Sequence, residues 1–222
     1  MKLTDAWVFL LPEGWARFPA GEGRERELDE AIEQVVSRVL PPDLPRDSTE
    51  PLRRMSRDRL RGAINDADNA GASVVYLPVQ PIHGILVPAS IIEVEFDSDA
   101  GEDPMKIVAS VMTDGYDESE VLEVDGRPAA RVTSVLRDVE SDPEWPQASS
   151  RQVVYTISRD EIEGQWLTLS FNVMWNSPQS EQLADALVLF FDAVMTTFRW
   201  AGDDGPQHLG DAAMVPGSAR AA

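Results

Sequence analysis

The side chains best suited to proton transfer near neutral pH are two histidines, His83 and His208. His83 sits in the Pro-flanked connection Gln80-Pro81-Ile82-His83-Gly84, and His208 in a Gly- and Pro-containing ending. No Gly-x-Ser-x-Gly elbow offers a serine nucleophile to either one. Cysteine is absent, which removes thiol catalysis, Cys-ligated zinc and disulfides. Asp97-Ser98-Asp99-Ala100-Gly101-Glu102-Asp103 partly resembles a calcium loop. Its glycine falls one position early, however, and Val108 stands where the bidentate glutamate belongs. Gly21-Glu22-Gly23 follows no buried strand, and no Gly-Lys-Ser/Thr accompanies it, so there is no phosphate loop. With 39 acidic residues, chance carboxylate pairs abound, and spacing alone singles out none. The sequence therefore predicts no catalytic residue, no metal and no cofactor.

Charge points elsewhere. Thirty-nine acidic against 19 basic residues give a formal net charge of −20, which repels phosphate backbones and anionic lipid. Nucleic acid and membrane surfaces are excluded as general partners, and cationic proteins are favoured. The one local inversion lies in a predicted helix from about Ser48 to Asn69, where Arg46, Arg53, Arg54, Arg57, Arg59 and Arg61 outnumber Asp47, Glu50 and Asp58. Arg53, Arg57 and Arg61 fall at i, i+4 and i+8, a stripe beside an apolar row of Leu52, Met55, Ala63, Ile64 and Ala67. This stripe is either a docking face for an acidic partner or a solvated face whose arginines pair with the chain's own acids. Trp145, in Pro143-Glu144-Trp145-Pro146, is a second contact candidate, because aromatics are enriched at interfaces.

The elements that must position these residues follow from periodicity. Gln165 to Trp175 alternates as a strand, with Leu167, Leu169, Phe171, Val173 and Trp175 on one face. Ser177 to Trp200 then reads as one amphipathic helix carrying Leu183, Leu187, Phe190, Phe191, Val194 and Phe198, whose partner is the odd-numbered face of that strand. Earlier in the chain, Trp7 to Leu11 and Trp15 to Phe18 read as short strands, and Arg24 to Leu40 as a helix stopped by Pro41-Pro42. Ser73 to Pro78 and Gly84 to Phe96 are apolar runs. In the second, Ile92, Val94 and Phe96 alternate with Glu93, Glu95 and Asp97, which predicts a wet carboxylate face. Asp103-Pro104 starts a short helix ended by Gly115. Asp125-Gly126 joins two strand-like runs as a type I′ hairpin, and a further strand, Gln152 to Ser158, pairs with the one starting at Gln165.

The order of elements predicts an α+β fold, a mostly antiparallel sheet packed by helices, with the helical pair 24–70 inserted. Residues 1–200 form a single domain and 201–222 a flexible tail. Neither a signal-peptide core nor a membrane span is present, so a cytoplasmic location is expected.

Three features together resemble the Mog1/PsbP-like α/β/α sandwich family. These are Pro12-Glu13-Gly14-Trp15, the hairpin Val124-Asp125-Gly126-Arg127-Pro128-Ala129, and the ending Phe190-Phe191-Asp192-Ala193-Val194 to Phe198-Arg199-Trp200. The ending is similar to that of uncharacterised actinobacterial proteins, in line with the Arg-over-Lys bias of a GC-rich genome. The resemblance implies protein binding without a catalytic residue. The expected function is a non-enzymatic accessory protein, either a secretion-associated adaptor or chaperone or a toxin-neutralising immunity protein, with a cationic partner. The rival is a small-molecule-binding or hydrolytic enzyme using acidic residues in a cleft between the helical pair and the sheet. A homodimer through an exposed β-edge is a third reading.

Overall fold

The computed structural model describes residues 7–39, 46–81, 84–85, 87–99, 101–112, 115–139, 148–160 and 164–201. Chain order is β1 (Trp7–Val8), β2 (Trp15–Pro19), α1 (Glu25–Val39), α2 (Arg46–Asn69), β3 (Val74–Pro78), β4 (Ala89–Asp97), α3 (Pro104–Met112), β5 (Glu118–Val124), β6 (Arg127–Val139), β7 (Ala148–Asp160), β8 (Gln165–Trp175), α4 (Pro178–Thr196) and β9 (Arg199–Trp200).

Seven strands form one antiparallel sheet in the order β2-β3-β4-β8-β7-β6-β5. The α+β expectation holds, and so does the hairpin: Asp125 and Gly126 take φ 49° and 74°, the two positive values a type I′ turn needs. The chain leaves the sheet after β4, passes through α3, and re-enters at the far edge as β5.

Helices cover both faces. On one, α4 lays Leu187, Phe191 and Met195 over Leu167, Leu169, Phe171 and Val173, and the rings of Phe171 and Phe191 stack 4.9 Å apart. On the other, Leu28, Ile32, Val36 and Ile64 of the helical pair pack on Phe18 and Val75. Val108 of α3 packs on Ala130 and Trp166 further along that same face. Burying each such side chain stabilises the fold by roughly 1.5–3 kcal/mol.

Ser177 caps α4 through a capping box with Ser180, and Pro178 starts its first turn. The helix ends at Thr196, short of the expected Trp200. Thr196 and Thr197 turn their hydroxyls back onto the carbonyls of Ala193 (2.7 Å) and Val194 (2.6 Å). Backbone pairing of β9 with β1, Trp200 opposite Trp7, then competes successfully with another helical turn. The first strand is correspondingly shorter than expected and joins β9, not the main sheet. On α2 the apolar row is also shorter: Leu60, Ile64 and Ala67 pack inward, whereas Leu52, Met55 and Ala63 are exposed.

Candidate functional site

The arginine stripe meets a matching acidic stripe. Asp29 and Glu33 lie one turn apart on α1, and the antiparallel α2 brings its arginines to them. Arg57 Nε donates to Glu33 Oε2 at 2.8 Å, Arg53 Nη1 reaches Glu33 Oε1 at 3.4 Å, and Arg61 pairs with Asp29. Arg57 also lies 3.8 Å from Glu50. The hydrogen bond from Arg57 holds the Glu33 carboxyl below its ordinary pKa. Arg53, Arg57 and Arg61 therefore clasp the two helices together. Trp145, His83 and His208 lie outside the described residues.

The loop at 97–103, described apart from Ala100, has structural partners. Ser98 N–H donates to the Gly164 carbonyl at 2.7 Å, Trp166 Nε1 donates to Ser98 Oγ at 3.2 Å, and Asp103 caps α3 at the Met105 N–H. A Cβ at Gly164 would lie 2.7 Å from the Ser98 carbonyl, so only glycine allows the approach. Among the described residues, no group of three His, Cys, Asp or Glu could hold a metal ion.

Two buried polar clusters escaped the reading of the sequence. Glu93 was expected on a wet face, yet it is only 3% exposed. Its register, opposite Leu169, turns it toward the α4 side, where the segment beginning with β1 covers it. Trp7 Nε1 and Tyr76 OH donate to Oε2 at 3.2 and 3.1 Å, and Ser73 Oγ donates to Oε1 at 3.3 Å. Burial pushes the Glu93 carboxyl above its ordinary pKa, against the opposing pull of Arg17, Trp7 and Tyr76. Burial likewise raises Tyr76, with the Glu93 charge adding to it.

The second cluster pins α4. Arg131 donates from Nε and Nη2 to the two oxygens of Asp192 at 3.0 and 2.9 Å, Tyr155 OH donates to Oδ1 at 2.8 Å, and Arg131 Nη1 reaches Thr133 Oγ1 at 3.1 Å. Burial, followed by the bond to Asp192, raises the Tyr155 pKa. Strand alternation could not reveal either cluster, since each joins residues from elements far apart in sequence.

These clusters tie their charged groups to scaffold partners. On β5, the last strand of the sheet, Glu118, Ser119, Glu120, Val121 and Glu123 are all exposed. Trp15 Nε1, Ser158 Oγ and Trp200 Nε1 are buried without a hydrogen-bond partner. Nothing in the surrounding structure explains these three.

No protein-family model matches the chain, and no curated protein matches it. Among solved structures it is similar to LpqN of Mycobacterium tuberculosis, described as involved in cell envelope biogenesis. The TM-score is 0.40 and the identity 11%, over 86% of this chain and 81% of that one. No helix among the described residues is long and apolar enough to cross a membrane.

Proposed function

We propose that this chain is a non-enzymatic accessory protein that binds a cationic protein partner. A secretion-associated adaptor or chaperone, or a toxin-neutralising immunity protein, of an actinobacterium-like host is the role that suits it, with the cytoplasm as its compartment. The observation that carries the reading is how the charges are used. The arginines of the α2 stripe turn onto α1, Arg131 turns onto α4, and Arg151 and Arg159 turn onto Asp185 and Glu95. Among the described residues, acids such as Glu118, Glu120 and Glu123 stay exposed, and the net charge of −20 steers and orients a positive partner. The Mog1/PsbP-like resemblance of the turn at Pro12–Trp15 and of the ending at Phe190–Trp200 supports binding over catalysis. Trp145 remains a contact candidate under this reading, whereas the Arg53, Arg57 and Arg61 stripe serves the helical pair first.

The rival enzyme needs two carboxylates in a cleft beside the helical pair. Glu93 is the described carboxylate with a raised pKa, and it faces the α4 side, away from that pair. This geometry favours the binding reading.

Affinity capture from the host lysate at low salt, followed by mass spectrometry, gives the test. The purified partner should be basic, and its Kd should weaken steadily as ionic strength rises. An affinity indifferent to salt overturns the electrostatic reading, and the absence of any protein enriched above bead controls overturns partner binding altogether.

A further inference from the structure

The seven-stranded sheet ends in two edges of opposite character. At one end β2 is short, four of its five residues are buried, and Pro19 has no N–H to offer. At the other end β5 is seven residues long, five of them exposed, and among the described residues it pairs with β6 alone. In an antiparallel ladder every second residue turns its N–H and C=O away from the neighbouring strand. The outer side of β5 is therefore a template for one more strand.

Side chains on that edge decide which strand can pair. Register places Glu118, Glu120 and Leu122 opposite Thr133, Arg131 and Ala129, on the α4 side of the sheet. Ser119, Val121 and Glu123 take the other side, with Val121 48% exposed between two polar neighbours. A second copy of β5 would bring three more glutamates onto the adjoining strand, which disfavours self-pairing. A strand with cations at those positions gains opposite-charge neighbours on both faces, and the surrounding field of the −20 chain adds to its attraction.

We propose that the outer edge of β5 takes an extended, lysine- or arginine-bearing segment of the partner protein as an eighth strand. Its cations lie beside Glu118, Glu120 and Glu123, and an apolar side chain lies beside Val121. Main-chain hydrogen bonds supply affinity, and the alternation of charge and apolar contact supplies selectivity. This inference rests on the binding reading above and adds where the partner sits and what shape it has.

The test uses the full chain, isotope-labelled, and a capped peptide of sequence TKTVKTKT as probe. Amide exchange followed by NMR should slow about tenfold or more at alternate positions within residues 118–124 when peptide is added. The acidic counterpart TETVETET should leave exchange unchanged. Charge reversal in E118K/E120K/E123K should weaken the basic peptide by roughly tenfold or more, since three favourable cross-strand pairs become unfavourable. If that variant lacks native amide dispersion, E120K alone should still weaken binding measurably. Peptide binding that leaves exchange in residues 118–124 untouched overturns the edge assignment, while the cationic-partner reading stands on its separate salt titration. Failure of the peptide to bind at all overturns the edge assignment too.

Discussion

Arg131 on β6 and Asp192 on α4, sixty-one residues apart, meet through two parallel hydrogen bonds of 3.0 and 2.9 Å. Tyr155 on β7 donates to the same carboxylate, so one acidic side chain links two strands to the helix lying across them. The Phe190-Phe191-Asp192 sequence thereby combines two roles. Phe191 fills the core, and one residue later Asp192 fixes the rotation and register of the helix.

Breaking this link leaves the Arg131 guanidinium largely enclosed without its partner. Asp192→Ala should therefore cost about 2–3 kcal/mol, read from the urea midpoint. Replacing both partners with apolar groups should cost less than the sum of the single changes, and a double-mutant cycle measures that difference. Equal and additive losses would mean that the two groups do not interact.

Phe191→Ala should destabilise by about 3–5 kcal/mol, because it empties a fully buried site that stacks on Phe171. Leu189→Ala, on the exposed side of the same helix, should change stability by less than about 0.5 kcal/mol. Comparable losses at the two positions would contradict the way α4 is seated.

Glu93 makes stability depend on pH. Its folded pKa lies above the ordinary glutamate value of about 4.3, so the unfolded chain releases this proton first as pH rises. Between the ordinary value and the raised one the native state binds more protons, and the contribution of Glu93 to stability falls with increasing pH. Glu93→Gln keeps an acceptor for Trp7 and Tyr76 and should remove that part of the slope, as urea titrations of both proteins from about pH 4 to 8 will show. Glu93→Leu should cost about 1–3 kcal/mol by orphaning these donors. Identical pH profiles for wild type and Glu93→Gln would rule out this role.

Asp125 serves a turn and a terminus together. It holds φ 49° in the hairpin and accepts the Trp200 N–H at 2.8 Å, with Arg199 at 3.7 Å. Asp125→Asn should cost about 0.5 kcal/mol, since asparagine tolerates positive φ, whereas Asp125→Ala should cost about 1–2 kcal/mol through strain and the lost acceptor. Thermal melts of the two variants should separate by several degrees; coincident melts would contradict this account.

Much of the fold was legible because local pattern and global packing agree. β8 alternates almost throughout, α4 carries its apolar residues at helical spacing, and Asp125-Gly126 permits little besides a tight hairpin. Legibility failed where a distant element changed the environment of a local pattern. Glu93 alternates like a solvent-facing residue, yet Trp7, eighty-six residues away, joins Tyr76 and Ser73 in enclosing it. The last turn of α4 gave way to β9 because Trp200 has a strand partner in Trp7 that no local rule contains. The Arg53, Arg57 and Arg61 stripe was visible as spacing, but its meaning depended on Asp29 and Glu33 facing it from α1. The acids of β5 looked like any of the 39 until sheet order placed them on its last strand.

The most direct measurement compares affinities of the wild-type chain and E118K/E120K/E123K for the basic partner captured from the host, by calorimetry in one buffer. A loss of roughly tenfold or more, in a variant whose melting behaviour matches wild type, is the expected result. Equal affinity for the two proteins would contradict recognition of a cationic partner at this acidic edge.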